Sequence, residues 1–243
     1  MHYVMSDIHG NKRRFESVMR QIRLQPDDTL YVLGDVIDRY PDGIRILRKL
    51  MAMPNVRMLL GNHEDMMLEA LDSQNNTVDS LSPILREKKL SVWYHNGGQV
   101  THNYLKHLRN DLRAVIFAYL RSLPLNLEIE VNETRFILTH GGDLRVFERY
   151  RMDYSDQHQY AVWHRRALSE SVPGDETVIF GHTPTSHYQC DLPLRIWHGE
   201  KRIGIDCGCG FPESTKPWRR QYAGRLGCLR LEDMKEFYSE EEY

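Results

Sequence analysis

Asp7-Ile8-His9-Gly10-Asn11, Gly34-Asp35-Val36-Ile37-Asp38-Arg39 and Gly61-Asn62-His63-Glu64 each follow a short apolar run. Those runs, Tyr3 to Ser6, Leu30 to Leu33 and Val56 to Leu60, are too short for helices and end at turn residues, so each reads as a β-strand. Between them the period changes. Phe15, Val18, Met19 and Ile22 recur at helical spacing, as do Ile44, Leu47, Leu50 and Met51. Pro26 with Asp27-Asp28 ends the first helix and Pro54-Asn55 ends the second. A third helix is expected over Asp65 to Leu71. This β-α-β-α-β rhythm predicts an α/β fold with a parallel or mixed sheet flanked by helices. Right-handed crossovers would bring the three clusters to one sheet edge, where open α/β sheets bind their ligands.

The second half is less regular. Residues 72–110 are polar, rich in Ser, Asn, His and Lys, and read as a surface insertion with short helices. Trp93, Tyr94 and the Asn96-Gly97-Gly98 turn suggest that part of it packs. Asp111 to Leu123 reads as a helix stopped by Pro124, which extends the insertion to about residue 123. Leu125, Leu127, Ile129 and Val131 alternate with polar residues, and a turn at Asn132-Glu133 returns the chain through Arg135 to Thr139 as a hairpin. A helix is expected near Tyr160 to Leu168, and strands at Thr177 to Gly181, Leu194 to Trp197, Arg202 to Asp206 and Arg225 to Leu231. The acidic tail Ser239 to Tyr243 should fray. No repeat or linker interrupts the pattern, so residues 1–243 are expected to form a single domain.

Composition narrows the function classes. The chain has 243 residues, and 32 basic against 34 acidic residues give a net charge of −2. That balance argues against a chain that coats nucleic acid or an anionic membrane by bulk charge. With 41% hydrophobic and 10% aromatic residues, the chain can build a core and is not disordered. No apolar run approaches the roughly 18–20 residues of a membrane span. Asp7 and His9 interrupt any signal-peptide pattern, so a cytoplasmic protein is expected. Cys207-x-Cys209 with isolated Cys190 and Cys228 lacks the repeated pairing of a zinc site and reads as reduced thiols.

Two more histidines stand where the three clusters stand. His140 closes the strand Phe136 to Thr139, and His182 closes Val178 to Gly181. Singly, Asp7 or Asp35 could be a helix cap, Asn62 a turn residue, and either histidine an interior hydrogen-bonding group. Those readings would have to hold at every strand end at once. Asp7, His9, Asp35, Asn62, His140 and His182 together offer the carboxylate, imidazole and amide oxygen donors that divalent metals take, and their number suits two ions. Asp7 and His9, two apart on an extended strand, would face one side and share an ion.

Asp-x-His, Gly-Asp-x-x-Asp-Arg, Gly-Asn-His-Glu and the two later histidines resemble the calcineurin-like metallophosphoesterases. More narrowly they resemble the phosphoprotein phosphatase family in its compact bacterial and phage form. Thr139-His140-Gly141-Gly142, Phe180-Gly181-His182-Thr183-Pro184 and Trp93-Tyr94-His95-Asn96-Gly97-Gly98 are similar to that family's later motifs. The resemblance implies a sandwich of two mixed β-sheets flanked by helices, with a dinuclear metal site at strand C-terminal ends. It implies Asp7, His9 and His182 on one metal, Asn62, His140 and one further ligand on the other, and Asp35 bridging. Mn²⁺ is the expected ion, with Fe and Zn as alternatives. His63 matches the family's general acid and Asp38 its orienting partner. Arg39, Arg165 and Asn62 match phosphate-binding positions, with Arg166 the alternative to Arg165.

The activity so implied is phosphomonoester hydrolysis by a metal-bridging hydroxide, of the serine/threonine protein phosphatase type. The alternative is a small-molecule phosphohydrolase such as a symmetrical diadenosine-tetraphosphate hydrolase. The expected partner is a phosphorylated protein or small phosphate ester, with no nucleic acid and no membrane. A non-catalytic binding module is disfavoured, because no ligand and no acid is missing. Two residues depart from the family. Tyr40-Pro41 stands where Gly follows Asp-Arg, and Asp143 brings an extra negative charge after His140-Gly141-Gly142.

Overall fold

The computed structural model describes residues 1–78, 82–191, 193–212 and 223–240. Among them the first sheet contains β1 (His2–Met5), β2 (Thr29–Val32), β3 (Val56–Met58), β9 (Gly227–Arg230) and β10 (Lys235–Tyr238), in the order β10-β9-β1-β2-β3. β1, β2 and β3 run parallel, while β9 and β10 pair antiparallel beside β1. The second sheet contains β4 (Asn126–Val131), β5 (Thr134–Thr139), β6 (Thr177–Phe180), β7 (Trp197–Gly199) and β8 (Arg202–Gly204), in the order β4-β5-β6-β8-β7. Here β5, β6 and β8 are parallel, and the hairpin partner β4 and the edge strand β7 are antiparallel.

Both faces of the inner strands are covered, which is why their sequence is apolar throughout rather than alternating. Val4, Tyr31, Leu33 and Leu59 of the first sheet meet Phe136, Leu138, Ile179 and Ile203 of the second. The opposite side chains of the same strands, Tyr3, Met5, Leu30 and Val32, pack under helices. Phe15 and Val18 come from α1 (Lys12–Ile22), and Ile44, Leu47 and Leu50 from α2 (Gly43–Met51). The predicted two-sheet α/β sandwich is therefore present.

Several expectations move. The third helix, α3 (Asn62–Ala70), starts three residues before the predicted Asp65, at the very residues of the Gly-Asn-His-Glu cluster. The polar stretch after it contains α4 (Pro83–His95), α5 (Gln99–Lys106) and α6 (Asn110–Arg121). It is anchored in the core by Trp93, Leu105, Ile116, Phe117 and Leu120, so much of it is structural rather than a surface addition. α7 (Gln157–Trp163) ends five residues short of Leu168, because His164 turns to extended backbone. Strand β10 was not foreseen. It pairs with β9 across a tight turn, and the main chain of Ser239, expected to fray, bonds to Leu226. Residues 241–243 of that tail lie outside the described residues. No helix of the described residues is long and apolar enough to cross a membrane.

Candidate active site

The loops that leave β1 and β2 continue the parallel ladder past the strands. The Asp7 N–H donates to Gly34 O at 3.2 Å, His9 N–H to Asp35 O at 2.9 Å, and Gly10 N–H to Val36 O at 2.7 Å. β1 ends at Met5, so the pleat of an extended strand does not align Asp7 and His9 as the sequence reading expected. Instead Asp7, His9, Asp35, Asp38, Arg39 and His182 all have left-handed backbone, with φ between 49° and 71°. Such backbone is uncommon for residues other than glycine, with Asp and His among the more tolerant types, and it concentrates at functional sites. Asp7 and His9, two apart and both left-handed, bring His9 Nε2 to 3.9 Å from Asp7 Oδ1 and 3.8 Å from Asp35 Oδ2 of the neighbouring loop.

Asp35 sits at the centre. Its Oδ2 lies 3.8 Å from His9 Nε2 and 3.9 Å from His63 Nε2, while its Oδ1 lies 3.5 Å from His140 Nε2. Two groups of ligand atoms thus share this carboxylate: His9, Asp35 and His63 on one side, and Asp35, His140 and His182 on the other, each group within 4.8 Å. Asp7 flanks the first group, its Oδ1 3.9 Å from His9 Nε2. His182, expected beside Asp7 and His9, groups here with Asp35 and His140, while its backbone N–H donates to Asp7 Oδ2 at 3.0 Å.

The donor atoms suit a cation. His140 Nδ1 donates to Leu33 O at 2.6 Å, and its Nε2 lies 3.0 Å from Asn62 Oδ1 and 3.5 Å from Asp35 Oδ1. Imidazole nitrogen, amide oxygen and carboxylate oxygen thus converge, the mixed donor set that divalent ions take. The buried His182 Nε2 has no hydrogen-bond partner. Burial lowers both His9 and His182 well below the ordinary histidine range, which keeps them neutral and able to ligate. Burial opposes ionisation of Asp35, but the charges of His140 and His63 outweigh it and hold the carboxyl well below the usual range. Burial, with the charge of Asp35 second, raises Asp7 instead. Asp206, not singled out from the sequence, is a further buried carboxylate raised by burial and by Asp7. The carboxylates of Asp7, Asp35 and Asp206 crowd one buried region, and burying so much negative charge is costly unless positive charge sits among them.

Beside these ligands stands a second constellation. His63 Nδ1 lies 2.8 Å from Asp38 Oδ2, and its Nε2 lies 3.4 Å from the Arg39 guanidinium. Burial alone would lower His63, yet the Asp35 charge and the Asp38 hydrogen bond prevail and raise it. Asn62 and His63 open α3, and the fully buried Glu64 fixes that opening. Glu64 accepts N–H bonds from Asp35 (2.9 Å), Val36 (2.8 Å), Ile37 (3.2 Å) and Gly61 (3.2 Å), tying two loops into one unit. Glu64 belongs to the Gly61-Asn62-His63-Glu64 cluster, but its partners Asp35 to Ile37 lie 27–29 residues away, where no local pattern marks them. Gly181 is required by close approach: a Cβ there would fall 2.1 Å from Ser6 Oγ and 2.4 Å from Asp7 Oδ2.

The arginines separate clearly. Arg165 is exposed and donates to His182 O at 2.9 Å, at the site's edge. Arg166 is buried, 2.7 Å from Glu170 Oε1, and lies over the Phe180 ring. Asp143 does not load the site with free negative charge as its position suggested. Its carboxylate caps the 3-10 turn that follows and takes a bidentate fork from Arg145 at 2.7–3.2 Å. Tyr40 turns its hydroxyl to Phe211 O at 3.0 Å. Cys207, Cys209 and Cys228 are buried free thiols, and burial pushes Cys209 up to about 12, so none supplies a thiolate ligand at neutral pH.

The family model of calcineurin-like phosphoesterases matches residues 3–204, and so spans every one of the six candidate ligand residues. The chain belongs to that family. Calcineurin-like phosphoesterases are metal-dependent hydrolases, and the shared Asp35 with its flanking imidazoles fits two ions. Among curated relatives, serine/threonine-protein phosphatase 1 of Salmonella typhimurium is 30% identical over 75% of this chain and 78% of its own length. Serine/threonine-protein phosphatase 2 of the same organism is 26% identical over 74% of this chain and 78% of its own length. A symmetrical bis(5'-nucleosyl)-tetraphosphatase of Erwinia tasmaniensis is 37% identical, over 34% of this chain and 32% of its own length. The fold matches a metallophosphoesterase from Sphaerobacter thermophilus (TM-score 0.53, 17% identity, 98% of this chain and 85% of that one). It also matches a cold-active protein-tyrosine phosphatase of a Shewanella species (TM-score 0.52, 17% identity, 98% of this chain and 80% of that one).

Proposed function

We propose that this calcineurin-like phosphoesterase is a phosphomonoester hydrolase of the serine/threonine protein phosphatase type. The observation that carries the proposal is the His63–Asp38 pair next to Arg39, on the face of a carboxylate shared by two ligand groups. The Salmonella relatives support the substrate class, because their similarity extends over about three-quarters of the chain.

In this reading Asp7 and His9 would hold one ion and Asn62, His140 and His182 the other, with Asp35 shared between the two groups. Mn²⁺ suits this mixed nitrogen and oxygen set, as do Fe and Zn. Two such ions, when bound, would neutralise charge on the phosphoryl oxygens and acidify a bound water. Arg39 and Arg165 clamp the remaining phosphoryl oxygens with planar forks that match them, and Asn62 adds an amide contact. His63 donates the proton that the leaving oxygen needs, from Nε2, while the Asp35 charge and the Asp38 hydrogen bond at Nδ1 raise its pKa and so favour the protonated ring. Left-handed Asp38 and Arg39 turn in succession, so the acid's partner and the phosphate clamp come from one bend of the chain.

One observation favours a second reading. Identity to the symmetrical tetraphosphatase is higher than to either phosphatase, though over 87 residues. Metal-free protein should be reconstituted with Mn²⁺ and assayed on a phosphoserine peptide and on diadenosine tetraphosphate, with His63→Ala as control. Higher kcat/KM on the peptide supports the phosphatase type. Higher kcat/KM on the dinucleotide moves the assignment to the second reading, and no metal-stimulated turnover above the control on either overturns both.

A further inference from the structure

The carboxylate that orients His63 has a second donor. Trp93 Nε1–H reaches Asp38 Oδ2 at 2.8 Å, the same oxygen and the same distance as His63 Nδ1. Asp38 is fully buried, and its other oxygen, Oδ1, has no hydrogen-bond partner. Everything that fixes this carboxyl therefore meets at one atom. Trp93 is itself fully buried near the end of α4, 55 residues away in sequence. Its indole is seated by Gly98, where a Cβ would fall 2.3 Å from Nε1. The same segment also grips the backbone of the catalytic bend. Asp38 N–H donates to Thr101 Oγ1 at 3.1 Å, and Arg39 N–H to Gly97 O at 3.2 Å. A tryptophan that merely filled the core would need any acceptor for its N–H. This one is aimed at the single carboxylate behind the proposed acid.

We propose that Trp93 is a positioning residue for proton delivery: its indole N–H locks Asp38 so that Oδ2 faces His63 Nδ1 and Nε2 points at the leaving oxygen. The proposal rests on His63 being the acid. Removing the N–H leaves Oδ2 with one donor and lets the carboxyl rotate its unpartnered Oδ1 toward His63 or solvate elsewhere. His63 then samples orientations that cannot protonate a leaving group. The consequence depends on what is leaving. A serine alkoxide is a poor leaving group and requires the proton. The p-nitrophenolate of p-nitrophenyl phosphate leaves nearly without it. Loss of positioning should therefore act on kcat for alkyl esters and spare both the aryl ester and KM.

The test compares kcat and KM of the Mn²⁺-loaded protein on a phosphoserine peptide and on p-nitrophenyl phosphate. Since general acid catalysis contributes about 10²–10⁴-fold, His63→Ala should lose that much on the peptide and far less on the aryl ester. Trp93→Phe should lose about tenfold on the peptide, a fraction of the full acid contribution, with the aryl rate and KM nearly unchanged. A packing control, Phe117→Leu, should lower Tm without changing the ratio of the two rates. Should Trp93→Phe fail to fold, site-specific benzothienylalanine at 93 replaces the indole N–H by sulfur at nearly the same shape. Equal losses on both substrates, or no loss, in a folded Trp93 variant overturn the role of Trp93. Equal losses in His63→Ala instead remove His63 as the acid, which is a separate failure.

Discussion

Glu64→Gln tests whether one buried side chain holds the candidate site together. Glu64 Oε2 accepts from the N–H groups of Asp35 and Gly61, and Oε1 from those of Val36 and Ile37. Glutamine preserves the shape but exchanges one oxygen for an NH₂, so whichever way it turns, two buried N–H groups lose their acceptor. At about 1–3 kcal/mol for each unsatisfied buried group, the cost is about 2–6 kcal/mol. For a chain of this size each kcal/mol moves Tm by about 2–4 °C, so a fall of roughly 5–20 °C is expected. Three of these N–H groups, those of Asp35, Val36 and Ile37, belong to the loop that carries Asp35, and loss of such outer support typically weakens metal binding about 10–100-fold. The assay is a thermal melt of metal-free protein at pH 8 together with a Mn²⁺ titration by calorimetry. A pH series adds a signature. Burial and the Asp35 charge push Glu64 up to about 7, against an ordinary 4.5. Between those values the unfolded chain releases the proton and the folded chain keeps it, so metal-free wild type loses stability as pH rises, and the variant lacks this loss. A Tm within about 2 °C of wild type, worth at most about 1 kcal/mol, with unchanged Mn²⁺ affinity would refute the reasoning.

Arg165→Ala should cut kcat/KM on phosphate esters while leaving Tm unchanged, because its side chain is exposed. Arg166→Ala should instead cost about 1.5–3 kcal/mol in urea unfolding, because the Glu170 carboxylate loses its 2.7 Å partner while keeping His164. Gly181→Ala should weaken Mn²⁺ binding by displacing Asp7, since its Cβ would overlap the Asp7 carboxylate, and calorimetry reads this directly. The His164 hydrogen bond and the Arg166 charge overcome burial and hold Glu170 below its ordinary 4.5. The stability it contributes is therefore present above that pH and is lost as pH falls through its folded value; Glu170→Gln should flatten that acid limb in urea titrations.

The fold was legible where short-range signals decide it. Strands β1 to β3 and helices α1 and α2 announced themselves by period and by Pro or Asp breakers, because both faces of those strands are buried and each helix has one apolar side. The ligand residues were legible as types at strand ends. How their side chains group was not, because the site residues sit on left-handed turns that no period encodes. Glu64, Asp206 and the Trp93 contact escaped for a related reason. Their partners lie tens to hundreds of residues away, and a side chain that bonds to remote backbone leaves no local pattern. β10 was missed because Lys235 to Tyr238 are only partly buried, so the strand exists by pairing with β9 and not by apolar alternation.

The left-handed backbone at six site residues has a consequence for how this protein can change. Glycine adopts that conformation without strain, whereas each other residue pays about 1–3 kcal/mol. Asp7→Gly or His182→Gly would therefore relax the chain at the cost of a ligand. A screen that scores only solubility or heat tolerance would enrich such inactive sequences, and would reach the catalytic edge before it touched the core. Only a selection that demands turnover keeps these residues in place.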